Sequence, residues 1–354
     1  DPTAKTLSIA VCEEKGVELA FVSREGVSNM TNAAADMAPS LQLYVEKDAD
    51  EPEVTYDCFT PNSQWLDNQG VMIQAHGGGV LWDQKTQKYY WYGEHKGENK
   101  LSDGNIAAIG VSCYSSTDLY NWKNEGMALP VFNNPAFLTK GEASNDTPLY
   151  LAESSEEYQQ AKADGKKVSE YDTLEKYNTK EAIASFNALY ADMTAEKKQE
   201  LYDKLNWNCV MERPKVIYNA KNDNYVMWFH KDGEGVGKYE LAQTGIAVSD
   251  SPTGPFKLLD TIRPNGNESR DMTLFVDEDG AGYLLYSSED NWTLYLAELN
   301  EDYTGLTGKY SRNYVDKSGS KGVYAREAPA IFKDQGSYYL ISSGCTGWRP
   351  NAMG

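Results

Sequence analysis

Apolar and polar positions alternate in short paired runs along most of the chain, and four of these pairs follow one plan. They read GGGVLWDQKTQKYYWYGE (77–94), ERPKVIYNAKNDNYVMWFH (212–230), RDMTLFVDEDGAGYLLYSSE (270–289) and REAPAIFKDQGSYYLISSG (326–344). Each contains a β-rich run of Val, Ile, Phe, Leu or Tyr, a turn of Lys, Asn, Asp, Gln or Gly, and a second run carrying aromatics. That is the signature of a hairpin. Further strand patterns fall between the pairs, in IGVSCYSSTDLYNW (109–122), TGIAVSDSPTGPFKLL (244–259) and WTLYLAELNEDY (292–303).

The spacing turns hairpins into an architecture. From Glu212 to Asp271 is 59 residues and from Asp271 to Glu327 is 56. Four strands in fewer than 60 residues, repeated, is the arithmetic of a β-propeller blade, so the pattern predicts an all-β propeller. The interval from Glu94 to Glu212 is 118 residues, twice the repeat. Residues 133–207 account for the excess: ESSEEYQQAKADGKK and NTKEAIASFNALYADMTAEKKQELYDKL have helical periodicity and few β-branched residues. They predict a helical insertion between the first two blades, its charge run reading as a solvated face. Residues 1–60 read as a separate β-rich segment with strand patterns LSIAVCE, VELAFVS and SLQLYVE, and residues 61–354 as the propeller.

Composition narrows the partners. The 354 residues carry a net charge of −20, which repels phosphate backbones and anionic lipid and favours a neutral or cationic ligand. Nucleic acid and membrane surfaces are not expected partners. No segment approaches the roughly 18 apolar residues of a membrane span. With Asp at position 1 and no visible signal peptide, the chain reads as a processed or trimmed product. The cysteines, Cys12, Cys58, Cys113, Cys209 and Cys345, are widely spaced without a CxxC pair, which excludes zinc-ribbon and thioredoxin-like readings and leaves between none and two disulfides.

Candidate chemistry lies in the signatures. The inner strands of a propeller line a central channel, so equivalent ends of the repeats would bring Glu94, Glu212, Asp271 and Glu327 into one funnel. Paired carboxyls are the apparatus of glycoside hydrolysis, with one kept protonated by its surroundings. Any one of them alone would read as a solvated strand end; four in matching positions favour a pocket. The only histidines, His76, His95 and His230, sit in or beside the same motifs, without metal-ligand spacing. No cofactor is implied. DEDG at 277–280 lacks the spacing of a calcium loop, and a hairpin turn is the stronger reading than a structural Ca2+ site. Most of the aromatic residues suit strand packing, but Trp292 and Trp348 fall in loops where an indole can stack on a sugar.

AHGGGVL (75–81), YYWYGE (89–94), ERPKVIYN (212–219), SRDMTLFVDEDG (269–280) and REAPAIFK through SGCTGWRPN (326–351) resemble the five-bladed propellers of glycoside hydrolase family 43, and within it the exo-β-1,3-galactanase type. The resemblance runs from about residue 60 to 354 apart from the insertion, and about four of five blades would be present. It implies Glu327 as general acid, Asp271 as the residue that orients it and tunes its proton affinity, and Glu212 and Glu94 as contacts of a terminal galactose. His76, Arg213, Tyr239, Asn291, Thr346 and Trp348 would complete the sugar site.

The wider family places a catalytic-base aspartate at the start of the first blade, where this chain reads QAHGGG. The galactanase type uses a glutamine of the fifth blade instead, which would come from a C-terminal continuation or a second chain. The resulting expectation is an inverting exo-glycosidase, secreted or periplasmic, that releases galactose from β-1,3-linked galactan such as the arabinogalactan backbone. A related arabinofuranosidase or xylosidase, and a carbohydrate-binding propeller without activity, are the alternatives.

Overall fold

A computed structural model describes residues 53–60, 63–95, 108–131, 149–150, 156–164, 168–169, 180–205, 209–233, 239–315 and 317–346. The chain divides into two compact units, 1–54 and 55–354. The strand patterns read at LSIAVCE, VELAFVS and SLQLYVE lie outside the described residues, as does Trp348.

The second unit is a propeller of antiparallel sheets. The first sheet is β1 (His76–Asp83), β2 (Lys88–His95), β3 (Gly110–Ser116) and β4 (Lys123–Pro130), hydrogen-bonded in chain order. Between it and the next sheet the chain forms two short parallel strands, β5 (Leu149–Tyr150) and β6 (Val168–Ser169), and helices α1 (Glu156–Ala163), α2 (Lys180–Leu189) and α3 (Ala195–Lys204). The second sheet is β7 (Val210–Asn219), β8 (Asn224–Asp232), β9 (Gln243–Ser249) and β10 (Lys257–Ile262). The third is β11 (Met272–Val276), β12 (Gly282–Ser288), β13 (Thr293–Leu299) and β14 (Leu306–Asn313). After the short helix α4 (Lys321–Tyr324), β15 (Arg326–Asp334) and β16 (Ser337–Gly344) pair as a hairpin.

What stacks these sheets is burial of both faces. Successive strand side chains point to opposite sides. Along β8, Tyr225, Met227 and Phe229 therefore enter one core, shared with Tyr92, Val111 and Leu129 of the first sheet. Val226 and Trp228, the residues between them, enter a second core with Leu284 and Tyr286 of the third sheet. A central strand with no polar face cannot sit at a sheet surface, so β8 requires a neighbour on each side. From the helices, Tyr190, Leu201 and Leu205 join the first core, and the Tyr190 hydroxyl accepts the Leu258 N–H at 2.7 Å.

The innermost strands touch in the order β1, β7, β11, β15. Together they line a channel cavity of about 420 Å³, with Gly79, Lys215, Thr273 and Ala330 among its walls. Three of these strands share a device at their entrance. Pairing slips between His76 and Gly79, between Glu212 and Lys215, and between Glu327 and Ala330. In each case two residues of the inner strand face one of its partner, a β-bulge. The residue after the signature, Gly77, Arg213 or Ala328, takes φ of 59°, 54° or 47°. Such bulges re-aim the side chain before them, here His76, Glu212 and Glu327.

This equivalence corrects one expectation from the sequence. Glu94 does not occupy the position of Glu212 and Glu327. It lies on the second strand, directly across from His76, whereas Glu212 lies on the inner strand across from His230. The first two sheets carry the same acid and imidazole pair in exchanged positions.

Candidate active site

The site assembles around Arg213. Its guanidinium Nη2 meets Asp271 Oδ2 at 2.9 Å, and its backbone N–H points at Glu94 Oε1 at 3.5 Å. Burial works against this cation, but Asp271, Glu94 and Glu212 around it raise its proton affinity above the ordinary arginine value. Glu94 is buried and its Oε1 lies 3.0 Å from His76 Nδ1, while the His76 side chain stays 45% exposed. The imidazole is thus the solvent-facing member of that pair.

The HGGG run is what lets β1 come this close. A Cβ on Gly77 would stand 2.4 Å from Glu94 Oε1, and one on Gly79 would stand 2.7 Å from Lys215 Cδ. Lys215 Nζ donates to the carbonyl oxygens of Gly77 at 2.9 Å and Arg213 at 3.2 Å, tying the first bulge to the second. Desolvation, with the Arg213 charge second, pulls its pKa down to about 7.

Glu327 stands at the third bulge. Asn291 Nδ2 donates to its Oε1 at 3.0 Å, and Asn291 itself is held at φ 68°. Asp271 Oδ2 also accepts the Ala328 N–H at 2.8 Å, which ties the Glu327 backbone to the carboxylate that pairs with Arg213. Burial, and next the charge of Asp271, push the Glu327 carboxyl above its usual range, partly offset by hydrogen bonding to Cys345 and by Arg213. A carboxyl whose proton affinity is raised beside a carboxylate paired to arginine is the arrangement that general acid catalysis uses.

Glu212 is braced on both oxygens. The Tyr239 hydroxyl donates to Oε1 at 3.0 Å, and His230 Nδ1 lies 3.3 Å from Oε2. Thr346 follows Cys345 just beyond β16. Of the sequence-derived candidates, Glu327, Asp271, Glu212, Glu94, His76, Arg213, Tyr239 and Asn291 are therefore linked into one network. His230, whose place in the repeats had pointed to the pocket, joins them across from Glu212, as do Asp232, Lys215 and Cys345, for which the sequence carried no signal. The DEDG segment forms the turn between β11 and β12, with Asp277 N–H donating to Ala281 O at 2.9 Å. Among the described residues no cluster of His, Cys, Asp and Glu could hold a metal ion, and Cys58, Cys113, Cys209 and Cys345 are free thiols.

A propeller whose blades deliver four carboxylates and an arginine to one mouth has the paired acids that glycoside hydrolysis uses. The profile of glycosyl hydrolases family 43 matches residues 193–353. Among solved structures, a family 43 β-1,3-galactosidase described with galactodeoxynojirimycin is 33% identical, with a TM-score of 0.56, covering 82% of this chain and 75% of that one. An exo-β-1,3-galactanase from Phanerochaete chrysosporium, described with β-1,3-galactotriose, is 28% identical with a TM-score of 0.54, covering 82% and 48%. One from Clostridium thermocellum is 30% identical with a TM-score of 0.54, covering 82% and 47%. This chain thus spans three quarters of the first relative and about half of the other two. No curated protein sequence matches it. The chain belongs to glycosyl hydrolase family 43, a family of glycosidases built on this propeller.

Proposed function

We propose that this chain is the catalytic propeller of an exo-acting β-1,3-galactanase that releases galactose from the non-reducing end of β-1,3-linked galactan with inversion. The observation that carries the reading is the Glu327 carboxyl, pushed toward its protonated form by burial and by Asp271, at the mouth where Glu94, Glu212 and Arg213 converge. Glu327 protonates the leaving glycosidic oxygen as the C–O bond breaks, Asp271 orients it, and a water attacks the anomeric carbon from the opposite face, giving its proton to a base that the galactanase type draws from the fifth blade. Glu94, Glu212, His76, Tyr239 and Thr346 supply hydrogen-bond partners for the hydroxyls of the terminal sugar, and Asn291 lies against the acid. The galactose-releasing activities of the relatives support galactose over pentoses. A polymeric substrate of this kind places the work outside the cytoplasm, in the periplasm or the medium.

The test is turnover of β-1,3-galactobiose and β-1,3-galactan with the released sugar and its anomer identified by NMR. Wild-type protein should release galactose as the α-anomer, and Glu327→Gln should lose at least a hundredfold in kcat while still binding galactose. A Glu327→Gln protein of undiminished kcat would refute the assignment of the acid. Release of xylose or arabinose in place of galactose would refute the substrate.

A further inference from the structure

His230 is enclosed, 1% exposed, with one carboxylate at each ring nitrogen. Nε2 lies 3.2 Å from Asp232 Oδ2 and Nδ1 lies 3.3 Å from Glu212 Oε2. A neutral imidazole has one N–H and one lone pair, so one of these contacts would set a nitrogen lone pair against carboxylate lone pairs. An imidazolium makes both contacts favourable, a hydrogen bond to Asp232 through Nε2 and an ion pair to Glu212 at Nδ1, whose direction falls outside hydrogen-bond geometry.

The far end of this row is fixed. Asp232 is fully enclosed, and it accepts the backbone N–H groups of Gly233 at 2.9 Å, Leu241 at 2.8 Å and Ala242 at 3.0 Å. Arg270 Nη1 stands 3.8 Å from its Oδ2. The near end faces the mouth: the Tyr239 ring stacks on His230 with centroids 5.8 Å apart while its hydroxyl holds the other oxygen of Glu212. The groups facing His230 are therefore Glu212 from β7, Asp232 from β8 and Tyr239 beyond it, with neutral Thr244 paired to it from β9.

We propose that His230 is a positioning residue, a standing imidazolium clamped between Asp232 and Glu212 that holds Glu212 ionised and oriented as an acceptor for a substrate hydroxyl. This rests on the placement of Glu212 in the sugar site given above. The blade-one counterpart cannot do the same. There His76 is solvent-facing and Glu94 is buried, so that imidazole is a group a ligand can reach, whereas His230 is not.

Two measurements test this. The chain has only three histidines, so 15N-histidine NMR resolves each ring. At pH 8, where an ordinary histidine is neutral, one ring should carry both ring protons. That signal should vanish in His230→Gln or, if that variant does not fold, persist in both His76→Gln and His95→Gln. Three neutral rings at pH 8, or an imidazolium signal lost with His76 or His95 instead, would overturn the proposal.

The second measurement is kinetic, on β-1,3-galactobiose. His230→Gln should raise KM by about 10- to 100-fold, the worth of a charge-assisted contact, with a smaller change in kcat. The acidic limb of 1/KM should also move up by about 1 to 3 pH units, the usual effect of removing an adjacent opposite charge. Unchanged KM and an unmoved acidic limb would also overturn it. If wild-type protein releases no galactose at all, the galactanase reading fails, and the NMR arm still decides the state of His230.

Discussion

Replacing Gly77 by alanine offers a clean test of how the first bulge shapes the site. The new Cβ would stand 2.4 Å from Glu94 Oε1 and 3.1 Å from Arg213 Cδ, on a backbone held at φ 59°. The left-handed backbone costs an L-residue about 1 to 2 kcal/mol. Overpacking adds about 1 to 3 kcal/mol, because Glu94 is 2% exposed and has no solvent to swing into. The expected loss of unfolding free energy is about 2 to 5 kcal/mol, the sum of the two terms.

Gly336, in the turn between β15 and β16, supplies the control: its φ is 79° and a Cβ there would meet nothing within 4 Å. Gly336→Ala should cost only the backbone share, about 1 to 2 kcal/mol. Urea unfolding gives both values, and kcat/KM on β-1,3-galactobiose reads the displacement of Glu94. Shortening the acid in Gly77→Ala/Glu94→Asp should recover part of the lost stability, a coupling of about 0.5 to 3 kcal/mol. Equal losses at Gly77 and Gly336, or a double variant that is merely additive, would refute the argument that the bulge needs glycine because Glu94 fills the space.

Three further outcomes follow from the network. Asp271→Asn removes a charge that favours protonated Glu327 and leaves Arg213, which opposes it, so the alkaline limb of the kcat profile should move down by about one unit or more. A limb that stays in place would separate Asp271 from the acid. Asn291→Ala removes a donor to the ionised form of Glu327 and should move the same limb in the opposite sense; parallel shifts in the two variants would contradict the geometry. Lys215, its pKa lowered to about 7, binds a proton less readily in the folded protein than in the unfolded chain between pH 7 and about 10, so its own contribution to stability should rise with pH across that window, against the falling contribution of His230. The urea midpoint of Lys215→Met minus that of wild type should therefore fall as pH rises, and a difference independent of pH would count against it.

The propeller was legible because its evidence is periodic and local. The uninterrupted apolar run in NYVMWFH marks a strand buried on both faces, and the near-constant interval between hairpins marks a blade. The carboxylates at the mouth were legible for a related reason, since Glu212, Asp271 and Glu327 recur at the entrance of the same strand. What the sequence could not express was register. Glu94 read as one more member of the repeat although it closes the second run of its hairpin where Glu212 opens the first, and only the register, with its bulge, sets it across from His76.

The same blindness hid the exchange between the first two blades, and the exchange carries chemical content. With histidine on the inner strand, as at His76, the ring reaches solvent and its acid partner is the buried member. With glutamate on the inner strand, as at Glu212, the acid faces the mouth and the ring lies behind it with a second carboxylate at its back. One hairpin therefore offers a solvent-facing ring to a ligand, and the other offers a carboxylate with an enclosed ring behind it. A sugar whose hydroxyls met both would find an imidazole on one side and a carboxylate on the other, so the two blades present different hydrogen-bonding chemistry from one hairpin plan.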